Sequence, residues 1–168
     1  ATVAFLHFGV PWLAREAAQR MPAAVERHAS EQVVAMLERV HFQPSRIPAA
    51  RRAELDRRFR ALVAGEPRSA DLRLAIVRAP GIGPNAFALP DGRIFVTDAL
   101  IELAGNDEEV LAVLAHEAGH HVHRHGMRGA LESSSIFLVA GVLFGDVSGS
   151  SLAVSIPATL LTSGFSRG

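Results

Sequence analysis

Residues 116–120 read HEAGH, which is an H-E-x-x-H pattern. Two side chains four residues apart lie on the same face of an α-helix, so His116 and His120 can offer imidazole nitrogens to one metal ion. Glu117 lies about 100° further round such a helix, where it can accept a proton from a water molecule that the metal activates. The pattern therefore predicts a zinc-dependent hydrolytic site, with His116 and His120 as ligands and Glu117 as general base.

The residues on either side of this motif favour a helix. Asn106 is a good N-cap and Glu109 follows three positions later, within an acidic first turn. An apolar run fills residues 110–115, and Gly126 is typical of a helix end. We expect a helix of about twenty residues with a buried N-terminal half. The alternative is a solvated, histidine-rich helix end or an adventitious metal site, but histidines in an apolar helix need a polar partner, which a metal provides.

A third zinc ligand is not evident nearby. Catalytic zinc takes three protein ligands and keeps its fourth position open. His123 shares the face of the other two histidines, but it lies ~10.5 Å along the axis from His116, too far for one metal. The metzincin pattern needs histidine at position 126, where this chain has glycine. The carboxylates after the motif are Glu132 and Asp146, and Glu132 stays open as a substitute ligand.

The rest of the pattern predicts a mainly helical α+β fold. Residues 23–40 read as one helix, and Pro48 suits the first turn of another. The apolar stripe of that second helix is formed by Leu55, Phe59, Leu62 and Val63.

Strand signals follow the second helix. Leu72, Leu74 and Ile76 alternate as in a strand. Residues 87–89 and 94–96 flank a turn at residues 90–93 and predict a hairpin. A short helix ending at Leu103 can be capped by Thr97 or Asp98.

Three linked segments are more specific than the metal motif alone. They are NAFALPDGRIFV at residues 85–96, the acidic pair Glu108-Glu109, and HEAGH followed by Arg124-His125. In this order they resemble the CAAX prenyl protease and HtpX family of zinc metalloendopeptidases, over about residues 71–167. One departure is that Asp91 stands where the family's hairpin turn has a first glycine; Asp-Gly is itself a favoured turn pair.

This resemblance implies a compact, zincin-like (gluzincin) α+β domain with a small sheet or hairpin beside the motif helix, and one Zn²⁺ per chain. It also implies that the segment of Asn85, Ala86, Phe87 and Ala88 borders the cleft. We expect these four residues to bind extended polypeptide substrate by strand addition. For Asn85 and Phe87 the alternative is turn chemistry and core packing.

The resemblance further implies that the third ligand is a glutamate on a later helix, shortly after a Ser-Arg pair. This sequence ends Ser166-Arg167-Gly168, so we expect that glutamate beyond Gly168. The expected organisation is then a single zinc metallopeptidase domain from residue 21 to residue 168, truncated on its C-terminal side. Residues 1–20 are expected to form a membrane-proximal helix.

The amino-acid composition restricts the kinds of molecule that the protein can bind. Seventeen basic and seventeen acidic residues in 168 argue against nucleic acid as a partner. The chain has no cysteine, so disulfides play no part in its fold.

Two apolar stretches predict membrane association. Residues 3–13 can be the last turns of a membrane helix, with Trp12 at the interface, or an amphipathic helix docked on the domain. Residues 136–161 have two apolar arms of about 10–12 residues each, which suit a buried or interfacial hairpin better than two spans. We expect a cell-membrane or bacterial-envelope location, with the periplasmic side favoured.

The function expected from the sequence is zinc-dependent endoproteolysis of unfolded or misassembled envelope proteins. One alternative is an envelope chaperone with a degenerate or latent metal site. Another is a structural domain that docks on a membrane assembly through residues 136–161.

Overall fold

A computed structural model of the protein describes residues 9–126, 128 and 129. They include five α-helices and four strands with defined bounds, and a short 3₁₀ helix at Ser69–Asp71; His125 and Gly126 are also helical. The helices are α1 (Val10–Gln19), α2 (Ala23–Val40), α3 (Ala49–Val63), α4 (Asp98–Leu103) and α5 (Asp107–Val122). The strands are β1 (Gln43–Pro44), β2 (Arg73–Arg78), β3 (Ala86–Ala88) and β4 (Arg93–Thr97).

Helix α2 has the bounds that the sequence predicts, and α3 begins directly after Pro48, which is its N-cap rather than a first-turn residue. Leu55, Phe59 and Val63 bury the inner face of α3. The prediction is wrong for Leu62, which is 53% exposed. It lies at the edge of the stripe, in a groove of about 630 Å³ whose α5 wall includes small alanines.

The strands form one sheet in the order β1-β2-β4-β3. The predicted hairpin is confirmed: β3 and β4 are antiparallel, with Phe87 opposite Phe95. Its turn needs Gly92, whose φ of 90° and close approach to Asp71 leave no room for a Cβ atom. The predicted strand at residues 72–76 is also present as β2, which starts at Arg73 and pairs in parallel with β4.

Helices cover both faces of this sheet. On one face, α2 packs on an aromatic cluster in which the ring of Phe95 lies 5.0 Å from that of Phe42 and 5.5 Å from that of Phe87. On the other face, α3 and α5 pack against the alternate residues of β3 and β4. The side chains of β3 on that face are Ala86 and Ala88. Because these side chains are small, α5 can approach the backbone of the strand.

The mixed α+β class is confirmed, with the sheet beside the motif helix as expected. Among the residues described, no helix has the length and apolar character needed to cross a membrane. Trp12, on α1, is 63% exposed. The apolar segment at residues 136–161 and Glu132 lie outside the described residues, as does the C-terminal tail.

Candidate metal centre

The start of α5 is fixed by the cap that the sequence predicts. Asn106 Oδ1 accepts a hydrogen bond from the Glu109 N–H at 3.0 Å. The Glu109 carboxylate in turn accepts from the Gly105 N–H at 3.1 Å and from the Asn106 side chain at 3.2 Å. These contacts satisfy N–H groups that have no partner inside the helix.

Two ion pairs join this end of α5 to α3. Arg51 lies 2.7 Å from Asp107, and Arg58 lies 2.7 Å from Glu108. The basic residues of α3 therefore include partners for the acidic first turn of the motif helix.

The other end of α5 differs from expectation. The helix has 16 residues and ends at Val122, not near Gly126. His123 is its C-cap, and Arg124 follows with a φ of 53°, in the left-handed region. The His123 N–H bonds to Gly119 O and the Arg124 N–H bonds to His121 O, both at 3.0 Å, so the chain turns before Gly126.

His116 and His120 meet as the motif predicts. Their Nε2 atoms are 3.1 Å apart, and ligand atoms of both residues and of Glu117 lie within 4.8 Å of one another. Tetrahedral zinc with Zn–N bonds of about 2.1 Å places two ligand nitrogens about 3.3–3.5 Å apart. The pair therefore fits zinc. His116 is exposed and His120 is partly buried, so the site opens to solvent.

Glu117 is buried, with 4% of its surface exposed. Its Oε2 accepts a hydrogen bond from the Ala88 N–H at 3.2 Å. Burial raises the pKa of Glu117 to about 7, and the Ala88 hydrogen bond opposes this rise. The candidate base is thus tied to strand β3 and can exchange a proton near neutral pH.

The second ring nitrogen of His120 also has a contact. His120 Nδ1 lies 2.9 Å from His125 Nδ1. Burial lowers the pKa of His120, and the imidazoles of His116, His125 and His123 lower it further. A neutral ring is the form that binds a metal. His125 and His123 are both exposed, and their rings stack 5.4 Å apart.

His121 is not a surface residue, because only 3% of it is exposed. Its Nε2 lies 3.6 Å from Asp71 Oδ2, beyond hydrogen-bond distance. Burial lowers the pKa of His121, and the charge of Arg68 lowers it further, so the ring is neutral. It lines a cavity of about 10 Å³ together with Glu26 and His120. The 3.6-residue period that puts His116 and His120 together puts His121 on the inner face.

The four residues expected to bind substrate lie on the edge strand next to α5. Phe87 is 2% exposed, so its side chain belongs to the core, as the alternative interpretation had it. The Thr97 N–H donates to Asn85 O, and the Asn85 N–H donates to the Thr97 hydroxyl oxygen, both at 2.9 Å. Because Asn85 and Leu89 direct their backbone groups to β4, those of Ala86 and Ala88 face the outer edge. Ala88 alone of the four has a hydrogen bond to a residue of the motif among those described.

Paired imidazoles on a helix, a buried glutamate between them and an adjacent edge strand define the site of a metallopeptidase class. Comparison with known families agrees. The model of peptidase family M48 matches residues 49–167, so the chain belongs to peptidase family M48. The match confirms the family-level prediction made from residues 71–167.

Three relatives share the name mitochondrial metalloendopeptidase OMA1. The protein of Saccharomyces cerevisiae is 34% identical over 74 residues, which are 44% of this chain and 21% of the relative. That of Schizosaccharomyces pombe is 42% identical over 52 residues, 31% of this chain and 15% of the relative. That of Arabidopsis thaliana is 38% identical over 60 residues, 36% of this chain and 12% of the relative. The chain thus matches about a fifth or less of each relative's length.

Proposed function

We propose that the protein is a zinc-dependent metalloendopeptidase that hydrolyses peptide bonds of unfolded or misassembled membrane or envelope proteins. One observation carries this proposal: the Glu117 carboxylate is buried beside the paired Nε2 atoms of His116 and His120 and is held on the edge strand by the Ala88 N–H. The arrangement combines a metal site, a base and a strand that can bind a peptide.

His116 and His120 are the residues that would hold the metal. When bound, Zn²⁺ polarises a scissile carbonyl and lowers the pKa of water from 15.7 to about 7. A third protein ligand is needed to complete such a site. We propose that a glutamate beyond Gly168 supplies it, with Glu132 as the alternative within this sequence.

Glu117 is the proposed general base. A base works best when its pKa is near the working pH, because it must both accept and release a proton. Burial raises the pKa of Glu117 to about 7 in the zinc-free protein, and the charge of a bound zinc ion would lower it from there. Glu117 accepts a proton from the attacking water and passes it to the leaving amine. The Ala88 N–H fixes the direction in which the carboxylate points.

Strand β3 is the proposed substrate-binding edge. Its outward backbone groups at Ala86, together with the Ala88 carbonyl, can pair with an extended peptide, while the Ala88 N–H stays bonded to Glu117. Backbone pairing of this kind accepts most sequences but requires a locally unfolded chain. This favours unfolded or misassembled proteins as substrates.

We also propose that the whole protein associates with a cell membrane or a bacterial envelope, with the periplasmic side favoured. Residues 3–13 and 136–161 support this by their apolar composition. Two similar proteins are named as mitochondrial. Their names support a location in an organelle or a cell envelope in general.

The test is cleavage of denatured casein by the full-length protein with zinc, compared with its Glu117→Gln variant. Loss of the base is expected to reduce cleavage at least 100-fold, in line with the usual contribution of general-base catalysis. The matched control is Glu102→Gln, an exposed glutamate on α4, which is expected to cleave like the wild type. Equal cleavage by the Glu117→Gln variant would contradict the mechanism. Casein binding without cleavage by any variant would favour the chaperone alternative.

A further inference from the structure

The turn that ends α5 carries two residues for which the proposed reaction has no use, Arg124 and His125. Arg124 has a φ of 53°, a conformation that non-glycine residues rarely adopt. Residues held in such conformations persist because their surroundings fix them, and they cluster at functional sites. The contacts of both side chains indicate what this turn does.

His125 contacts the proposed zinc ligand His120 at the ring nitrogen that does not face His116. Its Nδ1 lies 2.9 Å from His120 Nδ1, while His120 Nε2 faces His116. An imidazole that binds metal through Nε2 carries its proton on Nδ1. His120 Nδ1–H can therefore donate to His125 Nδ1, which accepts. Such a hydrogen bond fixes both the tautomer and the ring orientation of a ligand.

Arg124 is held by the corner between α1 and α2. Its Nη1 donates to Ala18 O at 2.5 Å and to Met21 O at 3.2 Å. Ala18 lies in the last turn of α1, where a positive charge is favourable, and its carbonyl also accepts from the Met21 N–H at 3.2 Å. The Arg124 guanidinium thus bonds to the C-terminal end of a helix that lies more than 100 residues away in the sequence.

A buried carboxylate balances the charge of Arg124. Glu26, in the first turn of α2, is 2% exposed, and its Oε1 lies 3.5 Å from Arg124 Nη1. Glu26 also pairs with Arg68 at 2.8 Å. Burying the Glu26 carboxylate without such partners would destabilise the folded protein. The ion pair of Glu26 and Arg124 therefore holds the α1–α2 corner against the turn after α5.

We propose that Arg124 and His125 are positioning residues for the zinc site. The α1–α2 corner holds Arg124, and the turn that results keeps His125 against His120. The N-terminal helices, which lie outside the family match at residues 49–167, thereby set the zinc affinity of the centre. The inference rests on the proposed function only in taking His120 as a zinc ligand.

The test is the zinc dissociation constant of the full-length protein, measured by competition with a chromophoric chelator. His125→Ala is expected to weaken zinc binding about 10- to 100-fold, the usual effect of losing the partner of a metal-binding histidine. His125→Asn is expected to recover most of this loss, because its Oδ1 can accept the same hydrogen bond. His28→Ala, an exposed histidine on α2, is the matched control and is expected to leave affinity unchanged.

Two more variants test the path through the N-terminal helices. Arg124→Ala is expected to weaken zinc binding about tenfold, whereas Arg58→Ala, which breaks an exposed ion pair at the other end of α5, is expected to leave it unchanged. Circular dichroism checks that each variant is folded. Because His125 is exposed, its variants remain informative if Arg124→Ala unfolds.

Wild-type zinc affinity in the His125→Ala variant would overturn this inference and leave the peptidase proposal intact. Failure of the wild-type protein itself to bind zinc would instead overturn the proposed function. The two failures are therefore distinguishable.

Discussion

The two ends of helix α5 are held in different ways. Its beginning is fixed by a local cap at Asn106 and by ion pairs to α3 near the surface. Its end is fixed by a partly buried network in which Arg124 bonds to the corner between α1 and α2. The first end supplies stability to the helix, and the second carries the paired imidazoles and their support. Stability and chemistry are thus placed at opposite ends of one element.

The largest effect on stability is expected in the first half of α5. Leu114 is fully buried against α3 and the sheet, so Leu114→Ala should reduce the free energy of unfolding by about 3 kcal/mol. Urea unfolding measures this change. Leu103→Ala is the control, because Leu103 is 70% exposed and should cost much less. A loss at Leu114 no larger than that at Leu103 would show that this half of the helix does not carry stability.

An effect of similar size, but dependent on pH, is expected at Glu117, because its ionised carboxylate is buried and destabilises the folded protein. Its folded pKa, about 7, lies above its ordinary value of 4.5, so the folded zinc-free protein binds a proton more tightly than the unfolded chain does. Stability from this group is present below pH 4.5 and is lost as the pH rises through about 7. The Glu117→Gln substitution should therefore stabilise the protein, relative to the wild type, by about 3 kcal/mol more at pH 8 than at pH 4.5.

Urea unfolding in EDTA at the two pH values checks this difference. The exposed Glu102→Gln variant should show no comparable change between them. If Glu117→Gln follows the pH profile of the wild type, burial does not destabilise the ionised carboxylate and the base is not poised as described.

The smallest of the three effects is expected at the cap. Asn106→Ala removes the acceptor for the Glu109 N–H and should cost about 1 kcal/mol of folding free energy. The zinc affinity of the folded protein should not change, because the cap lies more than two turns from His116. A parallel fall in zinc affinity, measured by chelator competition, would contradict the separation of the two ends.

The sequence predicted the elements that depend on neighbouring residues. The Asn106 cap, the hairpin at residues 86–97 and helix α2 are all present, because their signals lie within a few positions of one another. The spacing of His116 and His120 also sufficed to predict that their Nε2 atoms meet.

Features that depend on distant contacts were not predicted. At the early end of α5, Arg124 bonds to the carbonyl groups of Ala18 and Met21 at the corner between α1 and α2, and nothing near Arg124 in the sequence signals these contacts. His121 is buried near Asp71 and Arg68, which come from another part of the chain. The Arg124-His125 pair was part of the family resemblance. This pair was the one signal in the sequence for the proposed hydrogen bond between His120 and His125.

The most direct test of the central claim is the zinc content of the purified full-length protein after dialysis. We expect one zinc per chain in the wild type and none in the His116→Ala/His120→Ala double variant, with both proteins folded by circular dichroism. An unchanged zinc content in the double variant would contradict the assignment of His116 and His120 as ligands, because the metal would then be bound elsewhere.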